Sequence, residues 1–458
     1  ERLEHRGSFE STAAPRDLSK LEGIKTLLHD LGHPEQAFQV VHVAGTNGKG
    51  LASTMTAWLL QHEGFRTGCY TSPHLEDIRE RITLDGEWVA QESFARHAET
   101  VLDLSESYGD APYLSYFDLL TATALLAFQD AGCQWVVLET GIGGRADSTN
   151  VTDKALTLLT RVGLDHQAVL GDTLEQIAAE KLGITRPGVP LVSAEQAPEL
   201  MPWLEHECQI LDVSLTCTTT LPLTETDGLS SLHWPDGNRL ALPGKAPSQP
   251  WLECFRISLL ALELLFPKGT AVRSSRVDAI WNTRLPGRLD HRKSVQLGNW
   301  RFAEVVLDGG HNPDSLGALA NQLQQWKISG YTLIVGMASD KLVDAVHVPL
   351  QTLVGQAQQT LVVPIPSPRT ATPEVLVQFL SNPELPKASP PFSQREAGED
   401  SPVEGFPDLN AALAQAGQQL EDPLVITGSF YLVGEVCVYL NYVHMSVGPL
   451  KFGLSVRG

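Results

Sequence analysis

The chain has 458 residues, of which 42% are apolar, and a formal net charge of -21. That length exceeds one ordinary core and predicts two domains, with enough apolar residues to fill both. So acidic a surface repels nucleic acid, the charged opening ERLEHRGSFE is not a secretion signal, and no apolar run approaches the roughly 20 residues that span a bilayer. The six cysteines show no CxxC spacing and read as reduced thiols, neither a disulfide framework nor a zinc site. A cytoplasmic monomer is the expectation. Any phosphate-bearing substrate must meet local positive groups and a metal ion.

The first half alternates strands with helices. Gln39 to Ala44 is a short apolar run that ends at a glycine-rich turn, and Ala52 to His62 has helical spacing. Trp135 to Leu138 and Leu156 to Leu159 are continuous apolar runs, as strands covered on both faces require. Thr173, with Gln176 three residues on, makes a capping box and starts a helix that carries Lys181 two turns along. A second alternation begins at Phe302, with strand candidates at Ala303–Leu307, Thr332–Val335, Thr360–Val363 and Leu424–Ile426. The fold class is α/β: an N-terminal P-loop-type domain on a doubly wound, mainly parallel sheet, then a smaller Rossmann-like domain. The boundary is expected near Ser294, giving domains 1–293 and 294–440. Pro383 to Pro407, rich in Pro, Ser and Glu, reads as a mobile loop within the second domain. Residues 441–458 form a tail without an assignable role.

The clearest site is HVAGTNGKG, His42 to Gly50, between a strand and a helix. Glycines there let backbone N–H groups converge on phosphate oxygens, the helix dipole adds to them, and Lys49 supplies a point charge. The pattern GxxxxGK[ST] is not met, because Val43 replaces its first glycine and Gly50 follows the lysine. The competing reading is a glycine-rich turn with a solvated lysine. LETGIGGRADSTN, Leu138 to Asn150, leaves the end of a strand, where open α/β sheets place ligands. Glu139 there is either a ligand for a hard cation or a carboxylate facing water. His166 in GLDHQ is a lone histidine, a residue type that Mg2+ seldom selects and that is more often structural. Lys181, read by itself, is a solvated helix lysine. Asp118, in SYFDLLTATA, has the position of an N-terminal helix cap.

GTNGKG is similar to the phosphate loop of the Mur ligase superfamily, in the form of its folylpolyglutamate synthase and dihydrofolate synthase branch. YTSPHL at Tyr70–Leu75, ERI at Glu80–Ile82, LPGR ending at Arg288, LDGGHNP at Leu307–Pro313 and ITGSFYL at Ile426–Leu432 resemble that branch too. The resemblance runs from about Leu21 to Gly434. Cell-wall Mur ligases usually have a threonine where this chain has Gly50, and they carry a UDP-binding domain for which the 44 residues before Gly45 are too few. The resemblance implies ATP on Gly45, Thr46, Asn47, Gly48, Lys49 and Gly50. Arg288 and His311 would face its phosphates, and Asp308 its ribose. It implies Mg2+ at Glu139 and His166, with room for a second divalent or monovalent cation that a carbamylated Lys181 helps to hold. Lys49, Lys181 and His311 would serve catalysis, and Ser72, Pro73, His74 and Asp118 the substrate. The implied reaction adds L-glutamate to dihydropteroate or a reduced folate through an acyl phosphate.

Three positions depart from the family. Leu51 stands where the family has a serine whose hydroxyl binds the metal. Ser53 lies about 200° around the helix and cannot replace it, and Thr54 sits a turn deeper. Leu252 stands where the family has an asparagine that touches the nucleotide, and DKD becomes Asp340-Lys341-Leu342. Two other readings therefore stay open: a binding protein with weakened catalysis, and a Mur-type amino-acid ligase with another acceptor.

Overall fold

The computed structural model describes residues 20–109, 113–226, 229–244, 248–267, 277, 280–281, 285–382, 403–419 and 421–440. The chain folds into two compact units. Of the described residues, the first takes in 20–73 and 78–281, and the second takes in His74–Asp77 and 285–440.

Eight strands form the main sheet of the first unit: β1 (Gln39–Ala44), β2 (Thr67–Tyr70), β3 (Ile82–Leu84), β4 (Glu87–Trp88), β5 (Trp135–Glu139), β6 (Leu156–Leu159), β7 (Leu191–Ser193) and β8 (Leu215–Cys217). Their order is β4-β3-β2-β5-β1-β6-β7-β8, with β3 antiparallel to both its neighbours and the remaining pairs parallel. β1 and β5 are central, and both faces of their valines are buried, which is why they read as unbroken apolar runs. Val40, Tyr70, Val136 and Leu138 share a core with α1 (Lys20–Asp30), α3 (Gln91–Ser107) and α4 (Tyr116–Asp130). α2 (Lys49–His62) packs on α8 (Gln249–Leu265), where the Thr56 hydroxyl donates to Ser258 Oγ at 3.0 Å. The short α5 (Gln167–Leu170) precedes α6 (Leu174–Leu182), whose Thr173–Gln176 capping box is formed as the spacing predicts. α6 and α7 (Met201–Ile210) pack with Leu159 and Leu191. A small sheet of β9 (Leu223–Thr226), β10 (Leu229–His233) and β11 (Arg239–Ala241) is an addition whose short, polar strands carry no periodic signal.

The second unit is a six-stranded sheet of β12 (Asp290–Leu297), β13 (Trp300–Asp308), β14 (Tyr331–Val335), β15 (Ala357–Val362), β16 (Val403–Gly405) and β17 (Leu424–Thr427). The order is β12-β13-β17-β14-β15-β16, with β12 antiparallel to β13 and the remaining pairs parallel. α9 (Pro313–Trp326), α10 (Asp344–Gln356) and α11 (Pro373–Leu380) share one core; α12 (Leu409–Ala416) and α13 (Phe430–Tyr439) share the other.

The two units divide just before β12, the edge strand of the second unit, which contains Ser294. The loop expected over Pro383–Pro407 contains β16 at Val403–Gly405, a strand of three residues, too short to show periodicity. Its other part, 383–402, and the tail 441–458 lie outside the described residues. Among the described residues, no helix is long and apolar enough to cross a membrane.

Candidate active site

The phosphate loop leaves β1 at Gly45 and enters α2 at Lys49. A Cβ on Gly45 would lie 1.8 Å from Thr160 Oγ1, so only glycine fits. Gly48 caps α2 in the left-handed region (φ 87), and a Cβ there would lie 2.9 Å from Cys254 Sγ. The Thr46 hydroxyl donates to the Gly163 carbonyl and accepts from the Gly163 N–H, each at 3.0 Å. Thr46 and Asn47 N–H both donate to the Arg161 carbonyl, at 2.9 and 3.3 Å. These two residues thus tie the loop to the segment after β6. The helix-start amides of Gly48 to Leu51 have no intrahelical acceptor, an arrangement that suits an anion. Lys49 is half-buried. Its Nζ lies 3.3 Å from the Thr46 carbonyl, and among the described residues it forms no ion pair.

Glu139 ends β5 beside Val43 and is only 2% exposed. Its Oε2 accepts the Ser72 N–H at 2.8 Å, and Ser72–Pro73 is a cis peptide. Lys181 is not the solvated lysine of its competing reading. It is 3% exposed, and its Nζ donates to the Gly45 carbonyl at 2.8 Å. α6 is brought there by glycine contacts: a Cβ on Gly144 would lie 2.8 Å from the Lys181 carbonyl, and one on Gly183 would lie 2.4 Å from Arg145 Cβ. His166 caps α5 with φ 51, and its N–H donates to Asp165 Oδ1 at 2.8 Å. Among the described residues, no three His, Cys, Asp or Glu side chains gather as a ready-made metal site.

Asp118 is the N3 residue of the α4 capping box: Oδ2 accepts from the Ser115 N–H and hydroxyl at 2.9 and 2.6 Å, and Oδ1 accepts from the Ser148 hydroxyl at 2.6 Å. Burial raises its carboxyl against those three bonds. The capping reading is thus formed in the structure. The other substrate candidates divide. Ser72 and Pro73 belong to the first unit, whereas His74 belongs to the second, where the adjoining Leu75 packs so closely that Gly434 has no room for a side chain.

In the second unit β13 delivers Asp308. Its Oδ2 accepts the Leu289 N–H at 2.8 Å and its Oδ1 the Gly310 N–H at 2.9 Å. Arg288 lies with its Cζ 4.5 Å from the centre of the Phe430 ring, and among the described residues its guanidinium has no hydrogen bond or ion pair. His311 holds Gly309 O through Nδ1 at 2.9 Å and meets the same ring edge-on, 6.0 Å between centres. Sequence reasoning passed over Phe430, Thr160, Cys254 and Asp147. Burial pushes the Asp308 carboxyl up to about 6, against the two N–H bonds and the Arg288 charge, which lower it. The folded protein therefore binds this proton more tightly than the unfolded chain. Its contribution to stability is present at low pH and lost as pH rises from about 4 through 6. Denaturant titrations should show that fall, at most about 3 kcal/mol, in the wild type and not in Asp308→Asn. An equal pH slope in both would sever the fall from Asp308.

Residues 293–441 match the family model described as dihydrofolate synthetase, C-terminal domain. Over 325 residues the chain is 34% identical to the dihydrofolate synthase/folylpolyglutamate synthase of Bacillus subtilis (strain 168), covering 66% of this chain and 71% of that relative. The chain belongs to the dihydrofolate synthase/folylpolyglutamate synthase family. It is an ATP-dependent carbon–nitrogen ligase that adds glutamate to folates. Its fold is similar to that of E. coli FolC in complex with DHPP and ADP, with a TM-score of 0.77, 26% identity and 96% of each chain covered. It is similar also to a bifunctional folylpolyglutamate synthase/dihydrofolate synthase with Mn, AMPPNP and L-glutamate bound, at a TM-score of 0.76, 27% identity and 96% of each chain.

Against the family pattern, neither nearby hydroxyl makes up for Leu51. Thr54 Oγ1 donates to the Gly50 carbonyl at 2.8 Å, and Ser53 Oγ is buried without a partner. Leu252 is buried in α8, two residues before Cys254, whose thiol donates to the Gly48 carbonyl. Leu51→Ser should therefore tighten metal–nucleotide binding about fivefold, as one added oxygen ligand worth roughly 1 kcal/mol would. Calorimetric titration of AMPPNP with a divalent cation tests this. Unchanged affinity would mean that the loop is built around leucine.

Proposed function

We propose that this ligase adds L-glutamate to dihydropteroate and, more weakly, to a reduced folate monoglutamate. The observation that carries the ATP chemistry is Lys49, a half-buried ammonium at a helix start with no ion pair among the described residues. A charge so placed and so little satisfied suits an incoming phosphate. The match of residues 293–441 to dihydrofolate synthetase supports dihydropteroate as the main acceptor.

The acceptor carboxylate attacks the γ-phosphorus of ATP, ADP leaves, and an acyl phosphate forms. The glutamate amine then attacks the acyl carbon, phosphate leaves, the nitrogen gives up a proton, and an amide remains. No side chain forms a covalent bond. The protein's work is charge neutralisation and positioning. Lys49 neutralises the transferred phosphoryl group, Arg288 and His311 bind ATP phosphate oxygens, and Asp308 accepts from the ribose. Ser72, Pro73, His74 and Asp118 are the candidates for contact with the acceptor.

Glu139 and His166 would hold a divalent cation, taken as Mg2+. A buried carboxylate beside the loop, without a three-ligand cage, fits a cation that arrives with the nucleotide and keeps phosphate and water ligands. Held there, such a cation would supply charge neutralisation for the transferred phosphoryl group. Lys181 in carbamylated form would help to hold a second divalent or monovalent cation. 13C-labelled bicarbonate should then give a carbamate signal that Lys181→Met lacks, and a spectrum without it would remove that role. The working form is taken to be a cytoplasmic monomer, with neither nucleic acid nor membrane as partner.

Leu51 and Leu252 favour one competing reading, a pterin-binding protein with weakened catalysis. Glutamate-dependent ADP release decides. Release with dihydropteroate, and more weakly with the folate, is the expected result. Release with the folate alone reduces the activity to polyglutamylation, and release with neither in a folded, pterin-binding protein makes it a binder.

A further inference from the structure

The strands β13 and β17 end side by side, and each ends in a glycine turn. Gly428 (φ 102) donates its N–H to the Gly310 carbonyl at 3.1 Å, which locks the two turns together. Phe430 begins α13 immediately after, with Ser429 as the cap: its Oγ accepts the Tyr431 N–H at 3.1 Å. The Phe430 ring is then seated on Gly309 so closely that a Cβ on that glycine would lie 2.3 Å from the ring. Two side chains from elsewhere in the sequence meet this ring. The Arg288 guanidinium lies over its face at 4.5 Å, and the His311 imidazole stands at 77° to it.

An arginine with five donors and no protein acceptor ordinarily samples many rotamers. An aromatic face restrains it without consuming a donor, because the ring attracts the positive charge from above and leaves the N–H groups at the rim for a ligand. His311 is restrained similarly: Gly309 O can only accept, so Nδ1 carries the proton there, and the ring contact sets the plane of the imidazole. Of the two groups assigned to ATP phosphates in this unit, both are therefore oriented by one side chain that itself has nothing to offer a phosphate.

We propose that Phe430 is a positioning residue for nucleotide binding, which sets Arg288 and His311 in the orientation that receives phosphate oxygens. This rests on the assignment of those two residues to ATP, and the test separates the two claims. In the full-length enzyme, Phe430→Leu keeps apolar bulk and removes the π face, while Phe430→Tyr keeps the face. Phe430→Leu should raise KM for ATP roughly 3- to 30-fold, the range of a cation–π contact from exposed to desolvated. KM for glutamate and for the pterin acceptor should stay unchanged, and Phe430→Tyr should retain the wild-type KM for ATP. Combined with Arg288→Ala, Phe430→Leu should add at most a small further increase. A role in packing alone predicts a lowered Tm with all three KM values moving together, and this overturns the proposal. So does a KM for ATP that stays at the wild-type value in Phe430→Leu, or that rises by the full factor in the Arg288→Ala background. If Phe430→Leu does not fold, Phe430→Met carries the same comparison. Arg288→Ala with unchanged KM for ATP would instead overturn the assignment of Arg288 itself.

Discussion

Lys49→Ala should lower turnover by about a hundredfold to a thousandfold, the loss seen when one charge-stabilising group is removed from a transition state. The same substitution should change stability by less than about 0.5 kcal/mol, as for side chains away from any buried network. Both halves follow from how little the fold asks of this side chain. Its ammonium has one 3.3 Å bond to the Thr46 carbonyl, and α2 is held by Gly48 and the α8 contact instead. The phosphoryl group in flight carries charge over three oxygens, and a fixed ammonium there neutralises more charge in the transition state than in bound ATP. Lys49→Arg tests the geometry. It keeps the charge but brings a wider, planar group into a turn that has no spare room at Gly48, so it should recover only part of the rate. Rapid-quench measurement of ADP formation with dihydropteroate and glutamate, beside a denaturant titration, reads both quantities. Near-normal turnover in a folded Lys49→Ala protein would remove Lys49 from the chemistry.

The parts of this molecule that were legible in its sequence are those fixed within a short window. β1 runs over Gln39–Ala44 as the apolar run indicates, and the Thr173–Gln176 box closes at the start of α6. Hydrogen bonds of that kind span three or four residues, so the pattern and the geometry coincide. Asp118 belongs to the same class, since the cap was one of its two readings and the structure forms it with Ser115. What a window cannot carry is which distant segment arrives. Gly45 needs its missing side chain because of Thr160, and Gly48 because of Cys254. Lys181 reads as solvated in its own helix because nothing nearby in sequence says that its ammonium will reach Gly45. Phe430 lies within a recognisable segment, yet its role depends on Arg288 and His311, which reach it only when β13 and β17 pair. The edge strand β12, which contains Ser294, shows the same limit: an antiparallel strand with few buried residues resembles a linker until its partner is known.

Asp147→Ala should be the most destabilising of the substitutions considered, by about 4 kcal/mol, because one buried carboxylate satisfies four donors. Asp147 is 2% exposed. Its Oδ2 accepts the N–H groups of Gly141 and Ile142 at 3.0 and 3.1 Å, which folds the segment after Glu139 back on itself. Its Oδ1 accepts the Thr149 N–H at 3.1 Å and the Thr149 hydroxyl at 2.6 Å. Because that hydroxyl spends its hydrogen on Asp147, its oxygen is left to accept, and His42 Nε2 donates to it at 2.8 Å. Burial holds His42 well below its ordinary pKa, with the Lys154 and Arg186 charges acting in the same direction, so it is neutral with its proton on Nε2. The relay thus runs from the strand that launches the phosphate loop to the loop that follows Glu139. Truncation to alanine strands three backbone amides and a threonine hydroxyl, each costing roughly 1–3 kcal/mol unless water reaches it. Asp147→Asn keeps one accepting oxygen and turns an NH2 towards donors, so it should lose about half as much. Thr149→Val removes the hydroxyl that joins His42 to Asp147 but leaves the three backbone amides satisfied, and should cost about 1–2 kcal/mol. The loop also carries Arg145, whose N–H donates to the Glu180 carbonyl at 2.8 Å, next to Lys181. Turnover should therefore fall with stability along the series alanine, asparagine, valine. Urea midpoints at pH 7 order the three variants. An Asp147→Ala protein that unfolds at the wild-type midpoint would show that the loop is held by something other than this carboxylate.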